Sequence, residues 1–143
     1  MSASEIIVLM IVAFTVIVAF NFYDRGKKAL TIFPDIKTVT VVYRDRTATG
    51  YSTRSWQTRI GGASRSLDIT VTDTELWIRS FVLLAGIAQQ HDLIHRIRLS
   101  NITRTKDEGS FVKVEFKNEK GQSKQVVINT RDKTDFISAI RSK

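Results

Sequence analysis

The most chemically suggestive spacing in the chain is His91-Asp92-Leu93-Ile94-His95. Two histidines four residues apart share one face of a helix. With an acid beside the first, they imitate the H-E-x-x-H pattern, in which a carboxylate activates zinc-bound water. Here the acid is Asp92, one methylene shorter than glutamate, and no local signature supplies a third ligand. The segment also runs straight into an alternating stretch at Arg96. We therefore read His91 and His95 as loop or strand-entry residues. A zinc-dependent hydrolase using His91 and His95 is kept as the remote alternative.

Other catalytic patterns are absent. There is no G-x-S-x-G, no G-x-x-x-x-G-K and no G-x-G-x-x-G. Zero Cys excludes a thiol nucleophile, a Cys-ligated zinc site, an iron–sulfur cluster and a disulfide scaffold. The sequence reads as a noncatalytic protein with no metal and no cofactor.

A second constellation is basic. Between residues 44 and 65 stand Arg44, Arg46, Arg54, Arg59 and Arg65, with Asp45 as the one acid. Arginine suits phosphate because its planar fork donates two bonds together. With Lys27 and Lys28, these residues are candidates for binding lipid phosphates or an anionic leaflet. The competing reading is a solvated basic loop. A third feature is the run Phe81 to Ala88, eight apolar or small residues between two strands. Core packing is its first reading, because large exposed apolar patches are rare. Its second reading makes Phe81, Val82, Leu83 and Leu84 a contact with lipid or a partner. A pI near 10 raises nucleic acid as a ligand. No aromatic-plus-basic RNA signature or recognition helix accompanies the charge, so none is expected.

These residues must be held by elements of two kinds. Fourteen of the fifteen residues from Ile6 to Phe20 are apolar, the exception being Thr15, and no charge falls between Ile6 and Tyr23. As a helix, 21 residues reach about 31 Å, matching a hydrocarbon core of about 30 Å. The apolar side chains supply roughly −5 kcal/mol for insertion. Residues 1–23 therefore read as a transmembrane helix, with Phe20, Phe22 and Tyr23 in an aromatic belt. A cleaved signal peptide starts basic and ends in small residues, and this segment does neither. Glu5 precedes the span; Arg25, Lys27 and Lys28 follow it. Basic flanks stay cytoplasmic, so residues 24–143 are expected in the cytoplasm, beneath a bacterial inner membrane. Residues 24–36, ending near Pro34, read as a juxtamembrane connector.

Residues 37–143 are long enough to bury a core. Their periodicity is mostly two. Alternation marks strands near Thr38–Tyr43, Leu67–Thr72, Leu76–Ile78, Ile97–Leu99, Phe111–Lys117 and Gln125–Asn129, with a weaker one over Ser52–Ile60 around Trp56. Thr72-Asp73-Thr74 and Asn118-Glu119-Lys120-Gly121 read as turns. The chain ends on a period of 3.6, with Phe136, Ile137 and Ile140 on one helical face and Thr130 or Asp132 as cap.

Three stretches carry a family resemblance: Val71-Thr72 with Leu76 and Ile78, then Ile97-Arg98-Leu99 with Ile102, then Phe136 and Ile140 in the closing helix. Over about residues 37–142 the chain resembles the pleckstrin-homology-like superfold, closest to its bacterial PH and GRAM-type branches. Arg98 stands where the family often has Pro. The resemblance implies a mainly β fold, a seven-stranded barrel or sandwich capped by a C-terminal helix. It also implies basic residues around the first hairpin, which Arg44 and Arg46 match in position. Since this superfold hosts many roles, the expected function is general: a membrane-anchored binding or scaffolding module that engages a protein partner, an anionic phospholipid surface or both. A specific lipid-headgroup domain is the alternative.

Overall fold

The computed structural model describes residues 1–141. The apolar N-terminal segment forms one helix, α1 (Ala3–Ala29). Ser2 caps it: its hydroxyl accepts from the Glu5 amide (3.3 Å), and the Glu5 carboxylate accepts from the Ser2 amide (2.6 Å). Thr15 and Asn21, the polar exceptions in the run, bond back to the carbonyls of Ile11 and Ile17 (2.8 and 3.1 Å). The most apolar eighteen-residue window has a mean hydropathy of 2.6 and nothing packed over it. At 1.5 Å per residue the 27-residue helix is about 40 Å long, enough to cross a membrane.

The helix does not stop where the apolar run stops. Residues 24–29, expected as the start of a connector, form its last turns. Gly26 and Ala29 are buried there. Single turns of 3₁₀ helix follow at Leu30–Ile32 and Ile36–Thr38.

Among the described residues, the remainder is one seven-stranded antiparallel sheet with three α-helices. In chain order come β1 (Val41–Ser52), α2 (Trp56–Ile60), β2 (Ala63–Thr72), β3 (Glu75–Ser80), α3 (Val82–Gln90) and β4 (His95–Arg98). Then follow β5 (Ile102–Glu108), β6 (Phe111–Lys117), β7 (Ser123–Asn129) and α4 (Lys133–Arg141). The spatial order is β4-β3-β2-β1-β7-β6-β5. Two meanders, β1 to β4 and β5 to β7, are joined through β1. Residues 41–50 of β1 pair with β2, and Thr49–Ser52 also pair with β7. Register shifts at three points bend β1 between its neighbours. Asp45 supports one bend: its Oδ1 accepts from the Thr47 amide and hydroxyl (2.9 and 3.1 Å). Its Oδ2 accepts from the Arg131 amide (2.7 Å), tying the bend to the start of α4.

Of the expected barrel or sandwich, the barrel is not confirmed, because the seven strands form one sheet that is not closed. The edge strands β4 and β5 do not pair with each other. Yet only the 3₁₀ turn Leu99–Asn101 separates them in sequence. A link that short spans roughly 14 Å, so the sheet must coil until its edges approach at that corner. The concave side holds the core: Leu67, Ile69, Val71, Leu76, Ile78, Ile97, Val112, Val114, Phe116, Val126 and Ile128, all buried. α4 lies over it, with Phe136 and Ile140 inward and Phe136 against Tyr43 (5.6 Å between ring centres).

Two further expectations change. Ser52–Ile60 is not a strand. β1 ends at Ser52, and Ser55 with Thr58 form a reciprocal cap that starts α2. Conversely, β5 went unread in the sequence, because most of its side chains are polar and exposed. The expected total of seven strands is met through these two offsetting differences. At the start of β1, Val41 and Val42 are both exposed.

Candidate functional site

The structure concentrates its unusual features where α1 meets the sheet. The segment after α1 is a strap on the outer face of β3 and β4. Phe33 packs on Trp77 (5.8 Å between ring centres). The Arg79 guanidinium lies over both rings, 5.9 Å from Phe33 and 5.3 Å from Trp77. Arg96 Nη1 donates to the Ile32 carbonyl (2.9 Å), and its Nε donates to Glu75 (2.8 Å), which also accepts from the Trp77 indole (2.7 Å). Trp77 is fully buried on a sheet face that the strap makes internal. Beneath it, Asp68 accepts a forked pair from Arg44 (3.2 and 2.8 Å) and a third bond from Arg79 (3.1 Å). Burial alone would raise the Asp68 carboxyl. The hydrogen bond from Arg44 and the charges of Arg79 and Arg44 override it and hold Asp68 below the usual carboxylate range.

α1 also packs directly on α3. Val82 approaches Gly26 so closely that any Cβ on Gly26 would collide with the Val82 carbonyl. One turn on, Gly86 faces Arg25. The apolar run 81–88 is therefore helical and divides three ways. Ala85 and Ala88 are buried, Val82 and Gly86 face α1, and Phe81, Leu83, Leu84 and Ile87 remain exposed. Core packing describes only the small residues, and the Val82 backbone lies against α1, with its side chain half-buried.

The basic residues are dispersed. Arg44 is held by Asp68. Arg46 is exposed on β1. Arg65, with a left-handed φ of 51°, lines a cleft of about 500 Å³ with Thr47, Thr49 and Arg131. Arg54 reaches the Gln90 carbonyl at the end of α3 (3.4 Å), and Arg59 is exposed on α2. Lys28 pairs with Asp24 (3.0 Å), and Lys27 lies over the Tyr23 ring (5.7 Å). Arg44 and Arg46 are thus not a free pair. Lys27 and Lys28 lie on the last turns of α1, Arg54 reaches the end of α3 and Arg59 lies on α2.

The two histidines part company. His91 ends α3 and stands against Gly61, where a Cβ would meet its ring. His95 opens β4, buried edge-on to Phe116 (5.1 Å) with Nε2 at 2.6 Å from the Asp92 carbonyl. Asp92, at a left-handed φ of 58°, accepts from Ser52 (2.9 Å) and Lys124 (2.8 Å). Among the described residues, no three His, Asp or Glu lie close enough together to hold a metal ion. The Asp92 side chain is committed to Ser52 and Lys124, beside a polar cleft of about 480 Å³. Burial raises the Asp92 carboxyl, but Lys124, His95 and Ser52 together hold it below the usual range. Burial dominates at His95 and depresses it below the ordinary imidazole value, against the attraction of Asp92. His95 is then neutral at pH 7, donating from Nε2 to the Asp92 carbonyl.

This cluster gives stability a pH dependence. A buried neutral histidine resists protonation that the unfolded chain accepts. Stability is therefore full above the ordinary value near 6.5 and falls as pH drops below it. The depressed carboxyls of Asp68 and Asp92 add a second loss below about pH 4. Thermal melting of the full-length protein in detergent should show both limbs. His95→Gln should remove the upper one and keep the lower. A melting temperature flat between about pH 7 and about 5 in the parent would contradict the buried neutral His95.

Sequence reasoning missed the strap and Trp77. Phe33 and Trp77 are 44 positions apart, and nothing in their local spacing joins them. The capping pair Ser55 and Thr58 was a legible signal for α2. Compared with family models and with curated proteins, the sequence gives no match to either.

Proposed function

We propose that the chain is a noncatalytic, membrane-anchored binding and scaffolding module of pleckstrin-homology-like type. α1 crosses the bilayer once, and residues 24–143 lie on the cytoplasmic side. The domain engages a protein partner at the membrane, with the anionic surface as auxiliary ligand. The observation that carries this reading is the coupling of α1 to the sheet. The last turns of α1 pack on α3, and the strap clamps Phe33 onto Trp77 and Arg79. A domain so attached keeps one attitude to the helix that bears it, which suits a scaffold more than a freely tethered module. The order β4-β3-β2-β1-β7-β6-β5 with a closing helix supports the superfold resemblance. The flanks Glu5 before and Arg25, Lys27 and Lys28 after the apolar run support the orientation.

The test is affinity capture of the tagged full-length protein in mild detergent, identified by mass spectrometry. A version lacking residues 1–23 runs beside it. A stoichiometric membrane partner is the expected result. In parallel, residues 24–143 are titrated onto anionic vesicles. Arg54→Ala with Arg59→Ala should weaken that binding by about 1 kcal/mol per residue and reduce its salt dependence. Arg44→Ala should act on stability, since Asp68 already holds that guanidinium. No captured partner together with salt-independent vesicle binding would overturn the proposal.

A further inference from the structure

We infer that α2 and α3 form a second membrane contact, seated in the headgroup layer of the bilayer that α1 crosses. The inference rests on the reading of α1 as a membrane span. It starts from what α3 leaves uncovered. With two faces of α3 occupied by α1 and by the sheet, Phe81, Leu83, Leu84 and Ile87 are 39–49% exposed. α2 continues the same rim. Its Gly61 cap abuts His91 at the end of α3, and Arg54 bonds the Gln90 carbonyl. Trp56 and Ile60, one helical turn apart, are 69% and 76% exposed. Six large apolar side chains on two adjoining helices exceed the scatter normal for a water-facing surface.

Position selects the occupant. Arg25 and Gly26 touch α3, and they lie two and three residues past Tyr23, where the apolar run ends. That is about 3–5 Å along the helix axis. The headgroup layer extends roughly 5–8 Å beyond the hydrocarbon on each side. The start of α3 therefore falls inside it. Composition agrees. Neither α2 nor α3 contains an acid. Arg54 and Arg59 stand beside and on α2, Lys27 and Lys28 stand on the last turns of α1 that α3 packs against, and Trp56 and Phe81 are side chains that favour this depth. Apolar residues with cations nearby fit an anionic lipid interface. α1 and the rim would then fix the tilt of the sheet against the bilayer.

The absence of cysteine makes the test direct. Single variants Ile60→Cys and Leu84→Cys are made in the full-length chain. Val16→Cys reports on the span. Thr74→Cys, in the turn just before β3 and about 20 Å along that strand from α3, reports on water. All four positions are exposed, and matching melting temperatures confirm an intact fold. Each is labelled with the environment-sensitive dye NBD and placed in nanodiscs of phosphatidylcholine and phosphatidylglycerol. Lipids spin-labelled near the headgroup act as quencher. Probes at 60 and 84 should be blue-shifted and quenched, while the probe at 74 is neither. Aqueous, unquenched probes at 60 and 84 beside a buried probe at 16 would overturn the inference and leave the span standing. Blue-shifted but unquenched probes would also overturn it, because protein rather than lipid would cover the rim. An aqueous probe at 16 would overturn the span itself.

Discussion

Gly26→Val separates α3 from α1. The Cβ of any residue at 26 would run into the Val82 carbonyl. Backbone cannot rotate aside as a side chain can, so the two helices must part. Overpacking of this kind commonly costs about 1–3 kcal/mol, and a rigid obstacle places this site at the upper end. The sheet core lies elsewhere and should persist. The loss is therefore positional more than global. A cysteine pair reads it directly. A Cβ built on Gly86 lies 3.0 Å from the Arg25 Cβ, within about half an ångström of the usual disulfide range. Arg25→Cys with Gly86→Cys should cross-link readily in a chain that has no other cysteine. Adding Gly26→Val should abolish the cross-link, and Gly26→Ala should weaken it. Undiminished cross-linking with valine at 26 would refute the close crossing of α1 and α3.

Trp77→Ala should be the most destabilising single change on the outer face of the sheet. The ring is fully buried, and removing a buried large aromatic typically costs about 3–5 kcal/mol. It also strips the platform on which Phe33 and Arg79 stack and frees the Glu75 carboxylate from its indole partner. Arg79 would then hold its charge over a void. Two readouts separate the consequences. Urea unfolding of the full-length protein should show the lowered stability. Limited trypsin digestion should show faster cleavage at Lys37 once the strap lifts. Phe33→Ala supplies the control: it forfeits an aromatic pair of about 0.5–1.5 kcal/mol, so the sheet stays folded while the strap opens. A Trp77→Ala protein that loses under about 1 kcal/mol and keeps Lys37 protected would show that the strap is held by other contacts.

The elements that declared themselves in sequence are those whose stability is local or whose burial is periodic. Val112, Val114 and Phe116 alternate and are all buried. Phe136 and Ile140 recur at helical spacing, and both face the core. β5 did neither, with Arg104, Lys106, Asp107 and Glu108 exposed on an edge strand. Its conformation comes from pairing with β6, a non-local partner that its own residues do not announce. The histidine motif failed for a related reason. Spacing places His91 and His95 together only if the helix continues, and α3 ends at Gln90, with Asp92 in a left-handed turn. The arginine cluster was close in sequence, yet its members stand on different elements: Arg44 and Arg46 on β1, Arg59 on α2 and Arg65 on β2, with Arg54 between β1 and α2.

By itself, then, the sequence determined a helix long and apolar enough to cross a bilayer, the alternating strands of the core, the turns and the closing helix. Each follows from composition, period or a cap within a few residues. Tertiary structure alone decided three things. The sheet remained open though its edges meet at a three-residue turn, because coiling depends on all seven strands. The expected connector became a clamped strap, because Phe33 finds Trp77 across the fold. The apolar run 81–88 kept one face uncovered, because α1 and the sheet occupied the other two. Local spacing carries no information about which distant surface will cover a face, and that choice is what brings α1, α2 and α3 to one end of the molecule.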